Sequence, residues 1–450
     1  MPRTRSQMRT EAFREISNDS KRVPMVPGAG AVKTGFTMLF AHLGVTLLVI
    51  NVLFDLIVYG LPGYLLQLVS KNLFRKYMTA LINYTTPIVF NLPMVLSGTV
   101  LHCDSMELFE NKVKHKNSLM LANHGSRIDW MIGMYVGYQT TYENAIKPLR
   151  VRVGFVCERV IKYMPVIGWY RNIVCEDVFV DRSFNVDKIN IAKNLHDFHD
   201  SNTERMLYLS PEGVVVDYGE RDRKYMADCR EFCKSFGMEP FDYVLTPRYK
   251  GQTVLVQHLE KGGTIISITT AFVRDGKLLN CEMTSEERVI PDIYNLLTGV
   301  GGSPVNIYIN LEEMHFTADS DIKTIMMKDY ERKNALLKKW HGMLKEGKRE
   351  EFEALFPAFK PHFWHAQLIQ AMHGLQIYLF MSLFGVWPQF LKFVTYFFVL
   401  IAVSHTIGSF LNTTSMESVP FETAIKAILM RVSAKHSKHK ESAVKSTKVL

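Results

Sequence analysis

Apolar residues crowd toward the two ends of this chain, while the middle alternates in the manner of a soluble domain. Residues 34–54 form a 21-residue run without Asp, Glu, Lys or Arg, long enough to cross a hydrocarbon core as a helix. Gly60, Pro62 and Gly63 break the pattern, and Lys71, Arg75 and Lys76 follow. Residues 77–101 are again uncharged but carry Asn83, Pro87, Asn91 and Pro93. That mixture predicts an interfacial or re-entrant segment rather than a clean span. Two further uncharged stretches, 363–391 and 393–416, flank Lys392. They predict a helical hairpin or a pair of re-entrant segments. Asp55, Lys392 and His405 lie in or between these apolar runs, where snorkelling toward the interface explains a charge near a segment end.

The middle reads differently. Short β-rich runs at 118–122, 151–156, 174–181, 206–209, 264–272 and 305–309 predict strands. Helical periodicity marks 129–138, 187–198, 222–236 and a long amphipathic helix over 321–344. Strands alternating with helices predict an α/β domain with a sheet covered on both faces. The expected organisation is a basic arm at 1–33, apolar membrane segments at 34–101, the α/β domain at 112–350, a hairpin at 363–416 and a basic tail at 417–450.

Composition narrows the picture. An apolar share of 47% is too low for a chain of many spans, which argues against a multi-span transporter. The formal charge of +9 sits partly in the two terminal arms, which suits an anionic bilayer surface. No aromatic-interleaved basic stretch or finger signature points to nucleic acid. The six cysteines, at 103, 157, 175, 229, 233 and 281, show no zinc-ligand spacing and suggest a reducing, cytosol-facing environment. No metal site is expected; His196 and His199 share a helical face, but no third ligand is evident.

The chemistry concentrates in Asn123-His124-Gly125-Ser126-Arg127-Ile128-Asp129, where a short strand ends and a turn opens a helix. Ser126 is placed to cap that helix. Asp129 in its first turn can reach back to His124, fix the imidazole tautomer and leave the other ring nitrogen free to take a proton. A His-x4-Asp spacing alone is weak, expected by chance about 0.6 times in a chain with this many histidines. Three further stretches give it weight. They are Pro165-Val-Ile-Gly168-Trp169 followed by Phe179-Val-Asp-Arg182; Leu207-Tyr-Leu-Ser-Pro211-Glu212-Gly213; and Tyr243-Val-Leu-Thr-Pro247-Arg248-Tyr-Lys250-Gly251.

In this order the four stretches resemble the glycerolipid acyltransferase family, which includes the lysophosphatidic acid acyltransferases. The last resembles a segment of its lysocardiolipin and lysophosphatidylinositol branch. The likeness covers roughly residues 100–415. It implies a mixed sheet flanked by helices, anchored by the apolar segments, in the endoplasmic reticulum membrane with a cytosol-facing catalytic domain. It implies acyl-CoA as co-substrate, no cofactor, and a lysophospholipid as acceptor. His124 would be the general base with Asp129 as its orienter. Asn123, Arg127, Arg182, Glu212, Gly213 and Arg248 would bind substrate, with Arg182 the first choice for phosphate. The family's third motif reads Phe-Pro-Glu-Gly-Thr, often with Arg next. Here Ser210, Val214 and Val215 replace the Phe, Thr and Arg. Arg221, Arg223, Lys224 or Arg248 are nearby substitutes for the lost charge. The departure motivates an alternative reading, a non-catalytic lipid-binding membrane protein that kept the fold. A thioesterase, with water at the same base, is a third. The absence of a Gly-x-Ser-x-Gly elbow disfavours a serine hydrolase.

Overall fold

Eight strands form one mixed sheet in a computed structural model. The structure describes residues 31–89, 91–108, 117–134, 151–199, 204–216, 220–259, 263–297, 303–316, 320–356, 363–392, 394–396 and 398–399. The strands are β1 (Leu101–Cys103), β2 (Ser118–Ala122), β3 (Val151–Glu158), β4 (Val178–Val180), β5 (Glu204–Leu209), β6 (Thr264–Arg274), β7 (Lys277–Leu278) and β8 (Asn306–Met314). Their order is β1-β8-β6-β2-β5-β3-β4, with β7 paired to β6. β6, β2, β5, β3 and β4 run parallel, whereas β8 is antiparallel to β6. The carboxyl ends of the parallel strands therefore open on one edge, where α/β sheets bind ligands.

The buried strand β2 is an unbroken run, Ser-Leu-Met-Leu-Ala, as a strand covered on both faces requires. Met120 and Ala122 enter one core and Leu119 and Leu121 the other, following the two-residue period of a strand. The second core is closed by helix Ile322–Lys345, whose Ile322, Met326, Tyr330, Leu337, Trp340 and Leu344 fall at helical spacing. The sequence places this helix at 321–344, and Asp321 caps it by accepting from the Thr324 N–H.

The first core is closed by the apolar helices of the N-terminal region. Leu48 and Val52 of helix Ala31–Asp55 pack into it, as do Phe74, Met78, Leu81 and Ile82 of helix Lys71–Val89. One stretch among the described residues, Leu39–Leu68, is long and apolar enough to cross a membrane, and 56% of its apolar window is buried within the protein. Its length is therefore used at least partly for packing on the sheet. The expected segment at 77–101 divides into the end of helix Lys71–Val89, helix Asn91–Ser97 and strand β1. β1 pairs with β8, so the sheet begins before residue 112.

The expected strand at 174–181 shortens to β4. The cause lies at the amino ends of β3 and β5. Arg152 donates to the Val174 carbonyl and Arg205 to the Glu176 carbonyl, which turns that backbone away from the ladder. The Glu176 carboxylate accepts from Arg152 at 2.6 Å and lies 3.5 Å from Arg75 Nε, while Asp177 takes Arg171 at 2.5 Å. Burial, reinforced by Arg152, pushes the Arg205 guanidinium down to about 9. This ionic layer bolts the helix carrying Arg75 to the sheet. Helix Phe363–Leu383 packs against the same N-terminal region: Tyr59 donates to Gln376 at 2.7 Å, and His373 lies 3.6 Å from buried Asp55. Asp55 is thus buried inside the protein beside His373 rather than snorkelling. The expected segment at 363–391 breaks at Gly385, which has a φ of +60°. The four stretches 1–30, 135–138, 401–416 and 417–450 lie outside the described residues.

Candidate active site

His124 and Glu212 leave the sheet from adjacent parallel strands, β2 and β5, at the same edge. Arg182 leaves from β4 two strands further on. His124 Nδ1 lies 2.8 Å from Asp129 Oδ2. The Asp129 side chain is 4% exposed and the His124 ring 27%. Nε2 has no hydrogen-bond partner among the described residues, so the ring presents one nitrogen to whatever enters the edge.

The turn between them is held closely. Ser126 Oγ accepts from the Ile128 N–H at 3.2 Å and donates to Asp129 Oδ1, and the Ser126 N–H donates to Asp129 Oδ2 at 3.3 Å. This exchange resembles a capping box, with regular helical bonding starting two residues later at the Ile128 carbonyl. Asp129 therefore has its second oxygen fixed before it meets the imidazole.

The other backbone donors of the turn are mostly committed. The Asn123 N–H donates to Ile268, the His124 N–H to Glu212 Oε1 at 2.8 Å and the Arg127 N–H to Pro291. The Gly125 N–H has no hydrogen bond among the described residues. A Cβ at Gly125 would come within 2.7 Å of Asn280 Nδ2, so the close approach requires glycine. The Asn123 side chain, expected at the substrate, instead extends the ladder to β6. Its Oδ1 accepts from the Thr270 N–H at 2.7 Å and its Nδ2 donates to the Thr270 carbonyl at 3.2 Å.

Glu212 is buried and both its oxygens are used. Oε1 takes the His124 N–H and Oε2 the Leu245 N–H at 3.1 Å. Burial raises its carboxyl, and those two N–H donors pull it back toward ionisation. Gly213 follows with a φ of +73°, and its carbonyl accepts from Arg182 at 2.9 Å. Arg182 also reaches Glu158 at the end of β3, at 3.1 Å. Arg248 covers Gly213, bonds the Tyr225 hydroxyl at 3.0 Å and stacks on its ring at 5.0 Å. A pocket of about 200 Å³ opens beside this segment, lined by Val214, Asp222, Lys224, Tyr225, Asp228 and Arg248.

Residues 106–269 match the Acyltransferase family model. The match contains all four motifs. A curated relative, lysocardiolipin acyltransferase 1 of Gallus gallus, is 25% identical over 178 residues, 39% of this chain and 43% of the relative. Lysophosphatidylinositol acyltransferase 10 of Caenorhabditis elegans is 25% identical over 178 residues, 39% of this chain and 41% of that protein. A probable 1-acyl-sn-glycerol-3-phosphate acyltransferase 5 of Arabidopsis thaliana is 25% identical over 245 residues, 52% and 57% of the two chains. The matches thus span about half the length of these relatives. No solved structure gives a significant match. The acyltransferase resemblance read from the motifs holds for this segment.

Within the segment that matches the family model, the structure brings His124, Asp129, Glu212, Gly213, Arg182 and Arg248 into one connected set. Arg127 is exposed on the turn, and Lys250 lies 6.0 Å over the Phe184 ring. The basic residues are less isolated from acids than their sequence neighbourhood suggests. Glu158 pairs with Arg182, and Asp222 and Asp228 share the pocket with Lys224 and Arg248. That pocket adjoins Val214, where the third motif departs from the family pattern. Among the described residues no cluster of three His, Cys, Asp or Glu side chains could hold a metal ion.

Sequence reasoning missed Tyr330 and Lys333, which reach β2 from helix Ile322–Lys345. The signal was available: Asp329 and Lys333 interrupt the apolar face formed by Met326, Tyr330 and Leu337, and a charge on a buried helical face needs a reason.

Proposed function

We propose that this protein transfers a fatty acyl group from acyl-CoA to the free hydroxyl of an anionic lysophospholipid, with His124 as general base. The observation that carries this reading is the His124–Asp129 pair, ring partly exposed and carboxylate buried, at the carboxyl edge of the acyltransferase segment. As the lysolipid oxygen attacks the thioester carbonyl, Nε2 takes the hydroxyl proton. Asp129 stabilises the imidazolium that results. Collapse of the tetrahedral intermediate breaks the C–S bond, and the departing CoA sulfur takes the proton back from His124. The oxyanion needs a donor aimed at it, and the Gly125 N–H, which has no hydrogen bond among the described residues, can serve as one. No metal or cofactor is required by these steps.

Arg182, Arg248 and Lys224 support an anionic acceptor, since a guanidinium fork matches phosphate oxygens and repels a choline cation. The relatives named for lysocardiolipin and lysophosphatidylinositol support the same class. We rank those two acceptors above lysophosphatidic acid, because a terminal phosphate monoester would miss most the Arg that Val215 replaces. A competition assay with equal amounts of each lysolipid and one acyl-CoA tests this. Lysophosphatidylinositol or lysocardiolipin should be consumed first. Lysophosphatidylcholine as the preferred acceptor would contradict the anionic class, and lysophosphatidic acid as the preferred acceptor would contradict the inference from Val215. Arg182→Ala should raise KM for every phosphate-bearing acceptor with less effect on acyl-CoA; unchanged acceptor kinetics would remove Arg182 from the site.

The altered third motif favours the competing reading of a non-catalytic lipid-binding protein. An intact and buried orienter on His124 weighs against it. We place the protein at the endoplasmic reticulum membrane with its catalytic domain toward the cytosol, where acyl-CoA is made. Basic residues on both sides of the first apolar run support that orientation. Protease added to sealed vesicles should cut the central domain, and full protection of it would contradict the orientation.

A further inference from the structure

Tyr330 and Lys333 lie one turn apart on the buried face of helix Ile322–Lys345. The Tyr330 hydroxyl donates to the Ala122 carbonyl at 3.2 Å, and Lys333 Nζ donates to the Leu121 carbonyl at 2.7 Å. Leu121 and Ala122 are the last two residues of β2, and His124 follows two positions later. Registered pairing of β2 with β5 stops at Leu121 opposite Leu209. The helix thus takes hold of the strand where the β5 side of the sheet lets it go.

The next residue on the same helix face secures the opposite wall of the site. Asn334 Oδ1 accepts from the Asp242 and Tyr243 N–H groups, each at 2.9 Å. Two residues on, the Leu245 N–H meets Glu212, whose other oxygen holds the His124 N–H. His124 is therefore restrained from both directions by one turn of one helix. Lys333 is fully buried and balanced by Asp329 Oδ2 at 3.0 Å, while Asp329 Oδ1 takes the Ser267 hydroxyl at 2.6 Å. Burial disfavours the Lys333 ammonium, and Asp329 counters it. A buried ion pair is weak evidence for stability, since apolar residues of similar volume often serve as well. What leucine or methionine would not supply at this position is an N–H directed at the Leu121 carbonyl.

We infer that Tyr330 and Lys333 are positioning residues for His124, holding the end of β2 so that the imidazole stays aligned with the reacting hydroxyl. The inference rests on the general-base reading above. A small misplacement of a catalytic group lowers the rate of the chemical step far more than it weakens binding. The test compares the full-length wild type with Tyr330→Phe, with the charge-balanced double variant Lys333→Met/Asp329→Asn, and with His124→Ala. Each is assayed with oleoyl-CoA and lysophosphatidylinositol as probes. Tyr330→Phe removes one oxygen and leaves the apolar packing in place. It should lower kcat by about tenfold, with KM for both substrates within about twofold and a melting temperature lowered by no more than the few degrees that one lost hydrogen bond costs. The double variant should lower kcat at least as far. If His124→Ala is inactive but both other variants keep wild-type kcat, the positioning role is wrong and the base assignment stands. A kcat loss in Tyr330→Phe that comes with unfolding at the assay temperature would also overturn it. If His124→Ala itself stays active, the base assignment fails first and takes this inference with it.

Discussion

Replacing His124 with alanine should lower the rate of the proposed acyl transfer by about 10²–10⁴-fold while leaving expression and folding intact, because a general base is typically worth that much. The ring is partly exposed, so its loss opens no sealed cavity. Asp129→Asn should also cost heavily, for a different reason. The carboxylate takes the His124 Nδ1–H, the Ser126 N–H and the Ser126 hydroxyl together. An amide presents one acceptor and one donor to these three groups, so either the imidazole tautomer or the turn is lost. Kinetics of the purified variants check both. Near-normal kcat in His124→Ala would remove the base assignment.

Glu212→Gln should damage the protein in a way that His124→Ala does not. Both carboxylate oxygens accept backbone N–H groups, from His124 at 2.8 Å and Leu245 at 3.1 Å, in a buried position. Glutamine keeps one acceptor and turns its NH₂ against the other N–H. Leaving a buried donor unsatisfied costs about 1–3 kcal/mol, and the resulting shift displaces either the His124 backbone or the Tyr243–Leu245 segment. The expected outcome is a lower melting temperature together with a loss of kcat. A stable Glu212→Gln variant with normal kcat would show that these two bonds do not hold the site.

Much of this arrangement was legible in the sequence, for identifiable reasons. β2 reads as a strand because five buried residues leave no ambiguity of face, and helix Ile322–Lys345 reads as a helix because its apolar residues keep a strict spacing. The His124–Asp129 pair is local, so four intervening residues suffice to predict it. Glu212 stood out in its motif, but its partners did not, because backbone N–H groups elsewhere in the chain leave no trace in residue identity. The strand expected at 174–181 was misjudged because two buried arginines, Arg152 and Arg205, divert its carbonyls. The apolar run at 34–54 has the composition of a span, yet Leu48 and Val52 pack on the sheet. Composition does not distinguish a helix that meets lipid from one that meets a protein core.

The most direct test of the central claim follows the label from a radiolabelled acyl-CoA incubated with membranes containing the wild type or His124→Ala, with and without lysophosphatidylinositol. Transfer by a His124 base predicts labelled phospholipid from the wild type only, dependent on added lysolipid and absent in the variant. Label released as free fatty acid regardless of lysolipid would mean that water is the acceptor. Label remaining on CoA with every lysolipid tried would mean that the fold binds lipid without catalysis.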